Sequence, residues 1–232
     1  MTKLTQSAAA LAITAAATTL VLTPSLTRAH GDVAPQAVDT TGLPETGDEW
    51  LTENPYRAAD VGEETWALAI TIGSSGYNQN CARCHGLEVI SGGLAPDLRF
   101  LEAEEYGDEW YVERFQTGYT QNGITKMPAF GELLGQDAAW AIRTYIETRP
   151  DDDSLADVAG ELKGIRDTLA AGGADLDATK ARLSDIAAKI ETVSGAPVAD
   201  SAASRAAALL DGTEDGTIRA TEALTIGLSA AN

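Results

Sequence analysis

The amino-acid sequence predicts an all-α fold. Apolar residues recur three or four positions apart in several segments, and no segment shows convincing alternation with a period of two. Proline and glycine stand between these segments, where helices would end. With 44% hydrophobic and 22% charged residues, the 232-residue chain is long enough for one or two modest helical domains.

The charge balance and the scarcity of metal-binding side chains exclude several classes of function. The chain has 16 lysines and arginines against 35 acidic residues, which gives a formal net charge of −19. Nucleic acids and anionic membrane surfaces would be repelled, so neither is expected as a partner. Two cysteines and two histidines are too few for a disulfide scaffold, or for a four-ligand zinc site that leaves residues for other chemistry.

The beginning of the chain has the pattern of a secretory signal. Lys3 precedes a largely apolar stretch at residues 8–22, and Thr27-Arg28-Ala29 places small residues where a signal peptidase cleaves. The stretch is about 15 residues long, whereas a membrane span needs about 20. We therefore predict that residues 1–29 are a cleaved signal peptide, and that the mature protein lies in the periplasm without membrane insertion.

Composition divides the mature chain into three parts. All aromatic residues lie before Pro150, and the chain after it is rich in alanine and aspartate. Residues 30–64 contain several prolines and glycines without an apolar period, which predicts an extended N-terminal arm. We expect a first domain over residues 65–150 and an α-helical extension over residues 151–232.

The apolar spacing predicts helices in both the domain and the extension. The first two helices of the extension are separated by two glycines and are predicted to form a helical hairpin. Two interpretations of the extension stay open: it packs on the domain or mediates assembly, or it is a semi-independent spacer. The predicted helices span residues 63–77, 108–118 and 136–149 in the domain, and residues 155–169, 176–193, 199–210 and 217–229 in the extension.

One segment, Cys81-Ala82-Arg83-Cys84-His85, combines residue types that can hold a cofactor. Residues i, i+3 and i+4 share one face of a helix, so both thiols and the imidazole would point to the same side. The thiols can form thioethers with the two vinyl groups of a haem while the imidazole ligates its iron. We therefore predict one covalently attached haem c, held by Cys81, Cys84 and His85.

A thioredoxin-like redox disulfide and a chance CxxC pair are the alternatives for this segment. The predicted elements contain no βαβ unit, which a thioredoxin motif requires, and export favours haem attachment. Zinc is disfavoured because only His30 could join these ligands and no further soft ligand exists.

Met127 is the only methionine that remains after removal of the signal, and we predict that it is the second axial ligand of the iron. A thioether in that position would raise the reduction potential relative to ligation by two histidines. His30, Lys126 and water are the alternative ligands. An occupied sixth position predicts an electron carrier and no enzyme, because a haem-based catalyst or sensor needs that position open.

These residues resemble the small class I cytochromes c. Gly73 and Tyr77 lie eight and four residues before Cys81, where that family has a glycine and an aromatic residue on its first helix. Ile142 and Tyr145 match the apolar and aromatic pair on its last helix, against which the glycine packs. The resemblance implies a class I cytochrome c domain over roughly residues 60–150, followed here by additional helices.

The same family implies a partner for the haem-ligating histidine. Pro96, eleven residues after His85, resembles the proline whose carbonyl oxygen accepts a hydrogen bond from the Nδ1 atom of that histidine. Such a bond fixes the tautomer of the imidazole and strengthens it as a ligand.

Shorter stretches are similar to periplasmic cytochromes of the c-550 type, which accept electrons from PQQ-dependent (quinoprotein) alcohol dehydrogenases. They are residues 30–33, 77–80, 91–93 and 107–110. This resemblance implies a soluble shuttle that takes single electrons from the reduced quinoprotein alcohol dehydrogenase and passes them to a respiratory acceptor. The alternative is a general carrier that delivers electrons to a terminal oxidase.

Three further features carry weaker predictions. Arg99 and Arg114 could pair with haem propionates, and a solvated surface position is the alternative for each. The acidic run at residues 102–113 would steer a positively charged partner surface, or would form only a solvated face. Residues 211–222 place acidic residues at several positions of an EF-hand calcium loop, for which an acidic helix turn is the alternative.

Overall fold

The computed structural model describes residues 35–229, which form eight α-helices and one short β-hairpin, so the all-α prediction is confirmed. The predicted signal peptide lies outside the described residues. Within residues 35–229, every helix is too short or too polar to cross a membrane. The helices are α1 (Ala58–Asn80), α2 (Ala82–His85), α3 (Glu105–Thr117), α4 (Gly131–Glu147), α5 (Asp152–Ala170), α6 (Leu176–Ala187), α7 (Ala202–Leu209) and α8 (Glu214–Ser229). The strands are β1 (Tyr119–Gln121) and β2 (Ile124–Met127), and single turns of 3₁₀ helix occur at Leu87–Val89 and Leu98–Phe100.

Two of the predicted helices begin directly after a glycine at which the helical backbone is interrupted. Gly62 has φ 78° and ψ 163°, and Gly135 has φ 80° and ψ 173°, so each breaks the helical backbone near the start of α1 or α4. The uninterrupted parts of these helices therefore begin at Glu63 and Gln136, as the apolar spacing predicts.

The β-hairpin is the element that the apolar spacing does not predict. β1 pairs antiparallel with β2, with Gln121 opposite Ile124, and the chain turns through Asn122 and Gly123 with φ of 51° and 73°. Every strand residue except Met127 is exposed, so the alternation between a buried and an exposed face is missing. The Asn-Gly pair, which suits such a left-handed turn, is the signal that the sequence does contain.

The core of the first domain, which α1 to α4 form, depends on close packing of α1 against α4. A Cβ atom on Gly73 would lie 1.9 Å from the carbonyl oxygen of Ala141, so only glycine lets the two backbones approach this closely. One turn further along α1, the buried ring of Tyr77 lies 5.4 Å from that of Tyr145, beside the fully buried Ile142. The packing of a glycine on the first helix against the last helix, which the resemblance implies, is confirmed.

Residues 35–57 form no helix or strand; their beginning lies against α1, where Gln36 bonds to Asn80, and the rest contacts α4. The backbone N–H groups of Thr46 and Leu51 donate to the side chains of Asp137 and Gln136 in α4, at 3.0 and 2.6 Å. The amide group of Gln136 donates in turn to the carbonyl oxygen of Gly47, at 3.0 Å. Hydrogen bonds from polar side chains of α4 thus hold this segment, which has no backbone ladder of its own.

The C-terminal unit, which α5 to α8 form, has an apolar core of its own. α8 packs against both α5 and α7, and α6 packs against α7. α5 and α6 contact each other less than α5 contacts α8 and α6 contacts α7, so the unit is a four-helix assembly rather than a hairpin followed by separate helices. Its buried core begins at Leu155, whereas that of the first domain ends at Ile146, and within the described chain the two cores share no residue.

We expect Gly73→Ala to lower the free energy of unfolding by about 1–3 kcal/mol, because the added methyl group meets the backbone of α4 rather than a mobile side chain. Gly160→Ala is the control, since a Cβ atom there meets nothing within 4 Å and alanine favours the helix by about 1 kcal/mol. Urea unfolding of the full-length protein measures both changes. Equal stability of the two variants would contradict the close packing.

Candidate haem site

The motif at residues 81–85 folds into the turn that links α1 to α2. The N–H group of Cys81 donates to the carbonyl oxygen of Tyr77 at 2.8 Å, and those of Cys84 and His85 both donate to the carbonyl oxygen of Cys81 at 3.0 Å. The backbone is therefore helical through the motif, and residues three and four apart share a face. Cys81 is half-buried, Cys84 is exposed, and His85 is buried with 8% of its surface accessible.

Gly86 turns the chain away from the motif. Its φ is 85°, and a Cβ atom on it would lie 1.8 Å from the carbonyl oxygen of Ile90, so both the backbone conformation and the space require glycine. The hydroxyl group of Tyr77 donates to the carbonyl oxygen of Gly86 at 2.8 Å. Burial raises the pKa of this hydroxyl far above its usual range, so it remains a donor. α1 thus fixes the residue that follows His85.

The Nδ1 atom of His85 lies 2.8 Å from the carbonyl oxygen of Pro96, which confirms the bond implied by the resemblance. A carbonyl oxygen only accepts, so Nδ1 carries the proton and Nε2 carries the lone pair. Burial lowers the pKa of His85, and the bond to Pro96 and the nearby carboxylate of Asp97 oppose that shift. At neutral pH the ring is therefore neutral, which is the form that binds a metal ion.

The two thiols differ from those of a redox-active CxxC pair. Burial raises the pKa of the Cys81 thiol to about 12, and the neighbouring Cys84 adds to this shift. Reactive redox pairs have a lowered thiol pKa, because the thiolate is the attacking form. Both cysteines are free, and the low thiolate content of Cys81 disfavours the thioredoxin-like alternative.

Met127 ends β2 and packs, half-buried, against the same apolar cluster as Cys81. The hairpin places Met127 opposite Tyr119, at the start of β1. Beyond it, the N–H group of Phe130 donates to the carbonyl oxygen of Phe115 at 2.8 Å, and the two rings lie 5.8 Å apart. The segment that carries Met127 is therefore fixed on both sides.

These residues fit a covalently attached haem. Two thiols one helical turn apart match two vinyl groups, and a neutral imidazole with its lone pair on Nε2 can ligate the iron. The thioether of Met127, which packs against the same apolar cluster as Cys81, would be available as a further donor to the iron. Tyr77 and Phe130 are buried in that cluster and Trp110 is half-buried against it, which provides apolar surroundings.

The prediction that Arg99 pairs with a haem propionate is wrong. Arg99 is buried, and its guanidinium group lies 2.7 Å from carboxylate oxygens of both Asp97 and Asp152. Arg114 lies with its guanidinium carbon 5.9 Å from the centre of the Trp110 ring, and its propionate role stays a prediction.

Asp108, which belongs to the acidic run, is fully buried and cannot face a partner protein. Its carboxylate lies 2.8 Å from Nε of Arg143 and 2.8 Å from Nη2 of Arg57. Both arginines also pair with the carboxylate of Glu147, which lies 3.8 Å from Arg143 and 2.9 Å from Arg57. The sequence pattern does not reveal this cluster, because its members come from the arm, α3 and α4. The exposed members of the run are Glu102, Glu104, Glu105, Glu109 and Glu113.

The segment considered as a calcium loop is the N-terminus of α8, so the structure favours the alternative, an acidic helix turn. The hydroxyl oxygen of Thr213 accepts from the N–H group of Gly216 at 2.9 Å, and the carboxylate of Asp211 accepts from that of Thr213 at 2.9 Å. Glu222 lies on α8, outside the turn. Within residues 35–229, no three or more histidine, cysteine, aspartate or glutamate side chains are grouped to hold a metal ion.

Comparison with known proteins identifies the family. Over 124 residues the chain is 53% identical to cytochrome c550 of Pseudomonas aeruginosa, an alignment that covers 53% of this chain and 83% of that protein. It is 33% identical over 79 residues to cytochrome c6 of Euglena gracilis, which covers 33% of this chain and 88% of that protein. The chain belongs to the c-type cytochromes, and with its single CxxCH motif it is a monohaem electron carrier with covalently attached haem c.

Two further matches cover smaller parts. The family described as cytochrome c oxidase, cbb3-type, subunit III, matches residues 68–146. The chain is 33% identical over 89 residues to the quinohemoprotein alcohol dehydrogenase ADH IIB of Pseudomonas putida, which covers 38% of this chain and 12% of that protein. A comparison with solved structures gave no significant match.

Asp108→Asn is expected to lower the free energy of unfolding by about 3–5 kcal/mol, because it deprives the buried Arg143 of a counter-charge. Glu109→Gln changes the next residue of α3, which is exposed, and should alter stability by no more than about 0.5 kcal/mol. Urea unfolding compares the two variants. A similar small effect for both would mean that the buried cluster does not need its charge.

Proposed function

We propose that the protein is a periplasmic electron carrier in which Cys81 and Cys84 hold one haem c and His85 and Met127 ligate its iron. The bound haem supplies one-electron chemistry between iron(III) and iron(II), with no bond made in a substrate. The hydrogen bond from Nδ1 of His85 to the carbonyl oxygen of Pro96 carries this proposal. It orients the imidazole, leaves Nε2 as the donor, and increases its basicity.

The surroundings of Met127 support its role as the second ligand. The hairpin and the Phe130–Phe115 contact restrain its segment, so the thioether can keep one position while the oxidation state changes. A buried apolar cluster disfavours additional positive charge, and therefore stabilises the reduced state together with the thioether. A methionine in that position also keeps external molecules from the iron, which favours a carrier over a catalyst or sensor.

We propose a quinoprotein alcohol dehydrogenase as the electron donor. One relative is itself a quinohemoprotein alcohol dehydrogenase, in which the stretch similar to this chain is a small part of the protein. In that relative the cytochrome-like stretch is part of the same chain as the dehydrogenase. We infer that this protein, as a separate chain, receives electrons from the same class of enzyme. The exposed glutamates of residues 102–113 and the net charge of −19 favour a positively charged docking surface on the partner.

A general carrier to a terminal oxidase is the second candidate function. The match of residues 68–146 to the family described as subunit III of cbb3-type cytochrome c oxidase favours it. The two functions differ in the physiological partner and share the same site.

The signal-like pattern of residues 1–29 supports export to the periplasm. We propose that residues 1–29 act as the signal and that cleavage leaves His30 as the first residue.

Replacement of Met127 tests the axial ligand. We expect Met127→His to keep both axial positions filled and to lower the reduction potential by on the order of 100 mV, since imidazole donates more strongly to the oxidised iron. Met127→Ala should open the sixth position, so that the reduced protein binds carbon monoxide at neutral pH. Voltammetry and absorbance spectroscopy measure these changes.

Ile124→Ala, on the same strand and exposed, serves as the control for the hairpin and should leave both properties unchanged. Wild-type potential and no carbon monoxide binding in Met127→Ala would remove Met127 from the site.

Stopped-flow mixing of the oxidised protein, purified from the periplasm, with a reduced quinoprotein alcohol dehydrogenase tests the donor. The haem absorbance should report reduction with a rate constant on the order of 10⁶ M⁻¹ s⁻¹ or faster at low salt, and the rate should fall as ionic strength rises. The dehydrogenase without its quinone is the control and should give no reduction. If the reduced enzyme also gives none, while a cbb3-type oxidase rapidly oxidises the reduced protein, the second candidate function replaces the first.

A further inference from the structure

The loop that follows His85 has a backbone conformation that its residues disfavour. We call residues 86–97 the His85 loop; it begins directly after the motif and contains Pro96, whose carbonyl oxygen lies on Nδ1 of His85. Glu88 and Val89 have positive φ angles of 55° and 67°, a region that residues other than glycine rarely adopt and that suits a β-branched valine least. Such a backbone persists where the surrounding structure holds it.

The end of the His85 loop is bound to the C-terminal unit through Arg99. Its guanidinium group donates from Nε and Nη2 to the two carboxylate oxygens of Asp97, at 3.0 and 2.7 Å. It donates from Nη1 and Nη2 to the two carboxylate oxygens of Asp152, the first residue of α5, at 2.7 and 2.8 Å. Nη1 also donates to the carbonyl oxygen of Pro150 at 3.2 Å, so all five N–H groups of Arg99 have acceptors.

The beginning of the His85 loop has a second attachment to the C-terminal unit. The carboxylate of Glu88 lies 2.9 Å from Nη1 of Arg149 and 3.3 Å from Nη2 of Arg205, which belongs to α7. Arg205 also lies 3.0 Å from the carboxylate of Asp200. The loop is therefore bound near both ends by charged groups that involve α5 and α7.

The contact between the loop and the C-terminal unit is polar and close. The apolar cores of the first domain and of the C-terminal unit share no residue among the described ones, so ion pairs and hydrogen bonds are prominent where the two meet. A cavity of only about 60 Å³ lies between them, lined by Glu88 and Arg99 on one side and by Asp152, Arg205 and Ile226 on the other.

We propose that the C-terminal unit positions the iron ligand His85: through Asp152 and Arg205 it holds the His85 loop so that the carbonyl oxygen of Pro96 stays on Nδ1. This inference rests on the proposed role of His85 as a ligand. Asp152 and Arg205 are positioning residues that act through Arg99 and Glu88. A looser loop would weaken the bond to Nδ1, and the imidazole would then donate less to the oxidised iron.

Asp152→Asn in the full-length holoprotein tests the proposal. Asp152 is 52% exposed, so its replacement creates no buried cavity. We expect the Nδ1 proton of His85, followed by NMR in the reduced protein, to exchange with solvent about tenfold faster than in the wild type. The reduction potential should move to more positive values. Asp152→Glu keeps the carboxylate and should return both values toward those of the wild type.

Asp153→Asn is the matched control, because it removes the same charge from the next residue of α5, which is also exposed. Identical exchange rates and potentials for Asp152→Asn and Asp153→Asn would overturn the proposal. Arg205→Gln tests the second attachment with the same two measurements, and it replaces Asp152→Asn if that variant does not fold. A wild-type exchange rate in Arg205→Gln would show that the Glu88–Arg205 pair does not hold the His85 loop. Failure of the proposed function is distinguishable, because the wild-type protein itself would then lack a haem ligated by His85.

Discussion

One hydrogen bond, from Nδ1 of His85 to the carbonyl oxygen of Pro96, is the constraint on which the haem site depends. The imidazole could rotate about its side-chain bonds without it, and either nitrogen could carry the proton. The fold maintains this bond from two directions: α1 fixes the start of the His85 loop through the hydroxyl group of Tyr77, and Arg99 fixes its end through Asp97. The histidine that the motif supplies is therefore oriented by residues outside the motif.

Local parts of this arrangement could be predicted from the sequence, because they depend on helical spacing. Cys81, Cys84 and His85 share a face because the motif is helical. The resemblance to class I cytochromes c predicted the close packing at Gly73 and the hydrogen bond to Pro96. The hairpin that carries Met127 escaped prediction because its exposed strands have no apolar alternation. Apolar periodicity reports burial on one face, and an exposed hairpin has no such face.

The packing partners of the C-terminal helices, and the ion pairs to the first domain, could not be predicted from the sequence pattern for a different reason. Amphipathic spacing indicates that a helix buries one face, but it does not indicate against which partner. α5 and α6 therefore looked like a pair, whereas α8, the last helix in the chain, packs against both α5 and α7. The ion pairs are equally hidden, since Arg99 and Asp152 are 53 residues apart and ordinary in their local sequence.

Arginines pair with the carboxylates that this acidic chain buries fully or in part. Arg57 and Arg143 share the carboxylates of Asp108 and Glu147, and Arg149 and Arg205 share those of Glu88 and Asp200. Each group of four has no net charge, so the cost of removing one ion from water is offset by its counter-ions rather than by the solvent. Because these four arginines are paired with other carboxylates, the exposed glutamates of residues 102–113 remain largely uncompensated at the surface. These exposed glutamates form the acidic face that docking to a positively charged partner surface would use.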